Sequence, residues 1–147
     1  MEKIMAKITS KAISSIKNKE ELIEFLALNI FEKENAGALE DSDIPDFIKN
    51  VICIIQFETE IEMQGDFQNY YFSGYNCERF VNAFKQTGNN ELANYIGNFI
   101  ELYKLYETDL TDDFETKSEP LAKEIGRIID EKIFWGNVEK YIEVNMI

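Results

Sequence analysis

The sequence predicts an all-α protein: a single compact bundle of about seven to eight helices over residues 1–147, with no sheet. Three observations predict it. Apolar residues recur at helical spacing in segment after segment. The segments are punctuated by residues that cap and stop helices, such as Asn18, Gly37, Gly65 and Gly88. No stretch alternates apolar and polar residues between turn signals, as strands require.

Taken in order, residues 2–17 carry Ile4, Met5, Ile8, Ala12, Ile13 and Ile16 near helical spacing, with a lysine-rich opposite face. This predicts a first core helix with solvated lysines. A membrane-surface helix would carry the large aromatics that this segment lacks. Asn18 is placed to cap a helix over 19–35, with Glu20 and Glu21 in the first turn, where the helix dipole favours carboxylates. Gly37 is its expected stop. A polar connection follows at 38–43. Asp43 is the expected cap of a helix over 44–63, with Pro45 in its first turn. Phe47, Ile48, Val51, Ile52, Ile54, Ile55 and Phe57 make that helix apolar nearly all round, so it belongs at the centre of the bundle. Glu58, Glu60 and Glu62 near its end oppose the dipole and are expected to be exposed or paired with a basic group.

The stretch from Gln64 to Gly74 organises this pattern. Gly65 supplies the positive φ that stops the helix. Asp66 is placed to cap a short helix over 67–73, closed by Gly74, with Phe67, Tyr70 and Tyr71 on one face. Such a stripe is ordinarily core, so at least two of the three should pack on the 44–63 helix. Asn76 then caps a helix to 86 with Phe80, Val81 and Phe84 inward, and Thr87-Gly88-Asn89-Asn90 turns the chain into a helix over 91–107. Residues 107–115 form an acidic loop or a helix start at Thr111. Ser118-Glu119-Pro120 reads as the start of a helix to 133, Trp135-Gly136 as a break, and Asn137 as the cap of a last helix.

Composition bounds the chemistry. With 147 residues, 45% of them hydrophobic, the chain suits one folded domain. The net charge is −13, unevenly spread: five lysines lie in the first nineteen residues, and the remainder carries −17. Such a body repels nucleic acid phosphates and anionic membranes, and it suits a basic protein partner. Acidity that merely keeps the chain soluble is the plain alternative. There is no histidine, and the two cysteines, Cys53 and Cys77, form no CxxC pair, so neither a zinc site nor any other cofactor is expected. The 107–115 run lacks the ligand alternation and central glycine of a calcium-binding loop. No P-loop, GxSxG or dinucleotide fingerprint occurs, and cysteine catalysis would lack its usual base, so no catalytic residue is assigned. Neither a signal peptide nor a membrane span is legible, which predicts a cytoplasmic protein.

The stretch at 60–74 resembles the motif of the DNA-mimic protein C-terminal domain family, small acidic helical bacterial proteins. That motif runs Glu-Val, then Asn-Gly-Gly-Phe-x-Gln-Tyr-Phe-x-Asn, then an alanine-leucine helix ending in Ile-Gly. Glu60-Ile61 matches its opening. Gln64-Gly65-Asp66-Phe67-Gln68-Asn69-Tyr70-Tyr71-Phe72-Ser73 matches its centre, with Gln64, Asp66, Asn69 and Ser73 departing from the family residues. Phe80 to Gly88 and Leu92-Ala93-Asn94-Tyr95 follow the next two helices. The likeness covers about 45–107. It implies an all-helical domain in which the motif serves structure. For one branch it implies an acidic dimer that occupies a DNA-binding protein in place of DNA.

The resulting expectation is an acidic interaction module, not an enzyme, that binds a basic protein and no nucleic acid or membrane, with homodimerisation open. An immunity or antitoxin protein that neutralises a toxin through the same surface is a second reading. An enzyme with a carboxylate site hidden from sequence patterns is a third. The candidate contact residues are the two densest acidic runs: Glu107, Asp109, Asp112, Asp113 and Glu115, and Glu40, Asp41, Asp43 and Asp46. If they meet a partner, they should lie exposed and unpaired.

Overall fold

The structure is a computed structural model and describes residues 7–65, 78–106 and 112–146. Among these the fold is all-α. The helices are α1 (Ser10–Ser14), α2 (Lys19–Asn29), α3 (Asp46–Gln64), α4 (Glu78–Gln86), α5 (Asn90–Tyr106), α6 (Asp112–Ile129) and α7 (Lys132–Asn145), with 3₁₀ turns at Lys33–Asn35 and Ala38–Glu40.

α3 is the centre, as its all-round apolar sequence requires. Five consecutive residues, Val51 to Ile55, are buried, and Ile48 and Phe57 are wholly enclosed. Helices α2, α4 and α7 pack around it, while α5 bridges α4 and α6. An aromatic chain ties these layers together. Phe57 of α3 meets Phe80 and Phe84 of α4 at ring-centroid distances of 5.4 and 4.9 Å, and Phe84 meets Phe134 of α7 at 5.8 Å. The two Phe57 pairs are edge-to-face, an arrangement that adds about 0.5–1.5 kcal/mol each beyond the area buried.

Several stops and caps are those the sequence specifies. Asn18 accepts the Glu21 N–H at 2.8 Å and opens α2. Gly65 takes φ 95° and its N–H donates to the Ile61 carbonyl at 2.9 Å, closing α3. At the end of α4, Gly88 takes φ 82°. Its N–H donates to the Lys85 carbonyl at 3.2 Å and the Asn89 N–H to the Phe84 carbonyl at 2.8 Å, a Schellman closure.

Five expectations are corrected. The first helix begins at Ser10, because the Thr9 hydroxyl accepts the Ala12 N–H at 3.1 Å and residues 7–9 run non-helical into it. The second ends at Asn29, six residues early. Buried Asn35 folds back there, donating to the Asn29 carbonyl and accepting the Ile8 N–H, each at 2.7 Å. Asp43 does not cap α3: its N–H donates to the Asp41 carboxylate at 2.9 Å, and Pro45 occupies the cap position. α6 starts at Asp112, in keeping with the reading of a helix start at Thr111, and runs through Pro120 instead of beginning at Ser118, because buried Phe114 packs on Phe99, Tyr103 and Tyr106 and holds the first half of the helix on course. Finally, Trp135-Gly136-Asn137 lies inside α7. The chain breaks at 130–131 instead, and Phe134, Val138 and Ile142 form a stripe at i, i+4 and i+8 that overrides the glycine.

Candidate functional site

The expected acidic sites fall in different places. Glu107 and Asp109 lie outside the described residues, as do Asp66 to Gly74 and with them the packing of Phe67, Tyr70 and Tyr71. Asp112 opens α6. Asp113 is exposed but engaged. Its carboxylate accepts the Tyr106 hydroxyl at 2.9 Å and lies 3.3 Å from the Lys117 ammonium, which itself donates to the Tyr106 oxygen at 2.9 Å. The Tyr106 hydrogen bond and then Lys117 hold the Asp113 carboxyl below its usual range, and the same contacts raise Lys117. Of this run's described carboxylates, Asp113 is thus engaged by the fold's own groups, and Glu115 remains exposed. Glu40, Asp43 and Asp46 are exposed around the N-terminus of α3, with Asp41 half-buried in the Asp43 turn. The two runs belong to different elements: one leads into α3, the other into α6, which packs chiefly on α5.

A different carboxylate group is better placed for recognition. The C-terminal end of α3 and the last turns of α6 enclose a recess of about 230 Å³ lined by Glu58, Ile61, Glu62, Gly65, Ala122, Gly126, Ile129 and Asp130. Ala122 and Gly126, four residues apart on α6, present almost no side chain, and this leaves the space open. Ile61 and Ile129 supply apolar walls. Glu58, Glu62 and Asp130 supply three carboxylates.

Glu58 is half-buried, and it accepts the indole N–H of Trp135. Burial pushes its pKa up. The Trp135 hydrogen bond opposes that, and the neighbouring charges of Glu62 and Asp130 add to it. The expectation that Glu58 would be fully exposed or paired with a base is therefore corrected: its partner is an indole. A buried tryptophan needs an acceptor for its N–H, so Trp135 was the sequence signal for this contact. It went unused because Trp135-Gly136 read as a helix break.

No ion pair reaches Glu58, Glu62 or Asp130 among the described residues. Arg127, adjacent to Gly126 in the chain, is already committed to Glu91 at 3.0 Å, Glu124 at 2.8 Å and Glu131. Lys123 pairs with Glu119 at 3.1 Å, and Lys19 with Glu139 and Glu143. Among the described residues no group of three or more Cys, Asp or Glu side chains is placed to hold a metal ion, and no helix is long and apolar enough to cross a membrane. Compared with known proteins, the chain matches no family model, no curated protein and no solved structure.

Proposed function

We propose that this chain is an acidic interaction module that binds a basic protein and seats a lysine or arginine side chain of that partner in the recess between α3 and α6. The observation that carries the reading is Glu58: a half-buried carboxylate, raised by burial and by two like charges, with no cation paired to it among the described residues. Lysine and arginine combine an apolar stem with a charged head. Ile61, Ala122 and Ile129 suit the stem, and the three carboxylates suit the head. The cations nearest in sequence to the α6 side of the recess, Lys123 and Arg127, are held in exposed pairs with other carboxylates, so the acidic excess here is left to an incoming one. An arriving cation lowers the pKa of Glu58 and gains the attraction of all three groups in a partly desolvated site.

The finer form of this reading, suggested by the resemblance at 60–74, is that the partner is a DNA-binding protein whose basic groove the acidic surface fills. No catalytic role is proposed, and the acidic body argues against binding nucleic acid or an anionic membrane.

The test is capture of the partner from the source cell, followed by titration of the purified pair. Wild type and the Glu62→Gln/Asp130→Asn variant are each measured at low and high salt. Both groups lie at the recess rim, so the fold survives their neutralisation. The expected result is weaker binding by the variant and a shallower salt dependence. Equal affinities in all four measurements sink the reading. Competition by duplex DNA for the partner tests the mimic form separately.

A further inference from the structure

A second concave site lies away from the acidic recess, where α3, α4 and α7 meet. This cleft of about 710 Å³ is lined by Asp46, Phe47, Lys49, Asn50, Asn82, Gln86, Tyr141 and Asn145. That volume is within the roughly 300–1,000 Å³ spanned by small-molecule sites. The lining differs from the rest of the surface. Four of its eight residues are carboxamides, drawn from three helices, and its two charges, Asp46 and Lys49, are opposite. In a chain of net charge −13 this is a locally neutral patch.

Its hydrogen-bonding groups are partly fixed in place. Asn50 donates to the Tyr141 hydroxyl oxygen at 2.9 Å, a contact between α3 and α7. That bond leaves the Tyr141 O–H free to donate and the Asn50 Oδ1 free to accept. Asn145 donates to the Tyr141 carbonyl at 2.8 Å, which leaves its Oδ1 available. Asn82 and Gln86 stand one turn apart on exposed positions of α4. A carboxamide both donates and accepts.

We infer that this cleft binds a neutral, polyhydroxylated ligand of the oligosaccharide class. A sugar ring presents hydroxyls that both donate and accept, as the lining does, and an apolar face that half-buried Phe47 and Tyr141 can contact. Other ligand classes fit less well. An anion would meet one lysine within a strongly acidic body. A cation would meet one carboxylate, where the α3–α6 recess offers three. An apolar ligand would find only two aromatic walls among six polar groups.

The experiment is an NMR titration of the full chain with maltotriose, cellotriose and chitotriose, with an uncharged Gly-Ser peptide as the rival probe. The expected result is a saturable shift of the side-chain amide signals of Asn50, Asn82, Gln86 and Asn145 with at least one saccharide, and none with the peptide. The Asn82→Ala/Gln86→Ala variant removes two surface amides without touching the core and should weaken binding about tenfold or more. Tyr141→Phe, which removes only a hydroxyl, should weaken it by a smaller factor. Shifts with the peptide alone, no saturable shift with any saccharide, or undiminished saccharide binding by the double variant would each overturn the assignment.

Discussion

Asn35 joins the N-terminal segment to the end of α2, and its removal has a calculable cost. Its Oδ1 accepts the Ile8 N–H and its Nδ2 donates to the Asn29 carbonyl, both at 2.7 Å. Ile8 is 1% exposed and Asn29 0%. Asn35→Ala therefore strands the Ile8 N–H in a water-poor site, while the Asn29 carbonyl keeps the Glu32 N–H at 3.1 Å. A stranded buried group of this kind costs about 1–3 kcal/mol. Against the 5–15 kcal/mol typical of a whole domain, that is a large fraction. Urea unfolding followed by far-UV circular dichroism should show an earlier midpoint at unchanged slope. The melting temperature should fall by roughly 2–12 °C. Amide exchange gives a local readout: the Ile8 N–H should exchange much faster, while amides in the middle of α3 should change only as global stability changes. A loss below about 0.5 kcal/mol with Ile8 still protected would refute the reasoning, since it would mean that another group satisfies the Ile8 N–H.

Three further outcomes are expected. Glu58 has a raised pKa in the fold, so its stability contribution is full below the ordinary glutamate range and lost as pH climbs through the raised value; Glu58→Gln should therefore stabilise at neutral pH relative to wild type, with the difference shrinking on acidification in paired melts, and a gap that widens toward acid would contradict this. Gly136 lies mid-helix in α7 with nothing within 4 Å of where a Cβ would stand, so Gly136→Ala should stabilise by about 0.5–1 kcal/mol in urea titrations, and destabilisation would mean that the chain does break there. Gly88→Ala meets equally open space but must hold φ 82°, so the same assay should show a loss of about 1–2 kcal/mol, and a neutral result would mean that the Schellman turn re-forms without strain.

What sequence reasoning could see follows from the range of each signal. The Asn18 cap and the Gly65 and Gly88 stops are local: one residue and its own backbone decide them. The central role of α3 was legible because apolar residues fall nearly all round the helix from Phe47 to Phe57, leaving only a narrow face at Lys49, Asn50 and Gln56 for water. Three of the misreadings share a different cause, in that distant packing overruled a local marker. Pro120 stays within α6 because Phe114 is gripped by three rings of α5. Gly136 stays within α7 because the Phe134 stripe is buried on both sides of it. Asn35 ends α2 early by reaching a residue 27 positions back. The acidic recess was invisible for the same reason: Glu58 and Asp130 are 72 positions apart, and linear charge density pointed instead to 107–115, where Asp113 turns out to be spoken for by Tyr106 and Lys117.

The order of packing around α3 bears on how the chain assembles. The most extensive contacts join neighbours in sequence: α3 with α4, α4 with α5, α5 with α6. These join segments close in sequence, and they can form early at small entropic cost. Helices α2 and α7 meet each other and α3 from opposite ends of the sequence, partly through Lys19 with Glu139 and Glu143. Their docking waits on a loop of more than a hundred residues unless the α3–α6 stack has already shortened it. The central stack is thus the natural nucleus, and the paired outer helices are a clasp that shuts last and opens first.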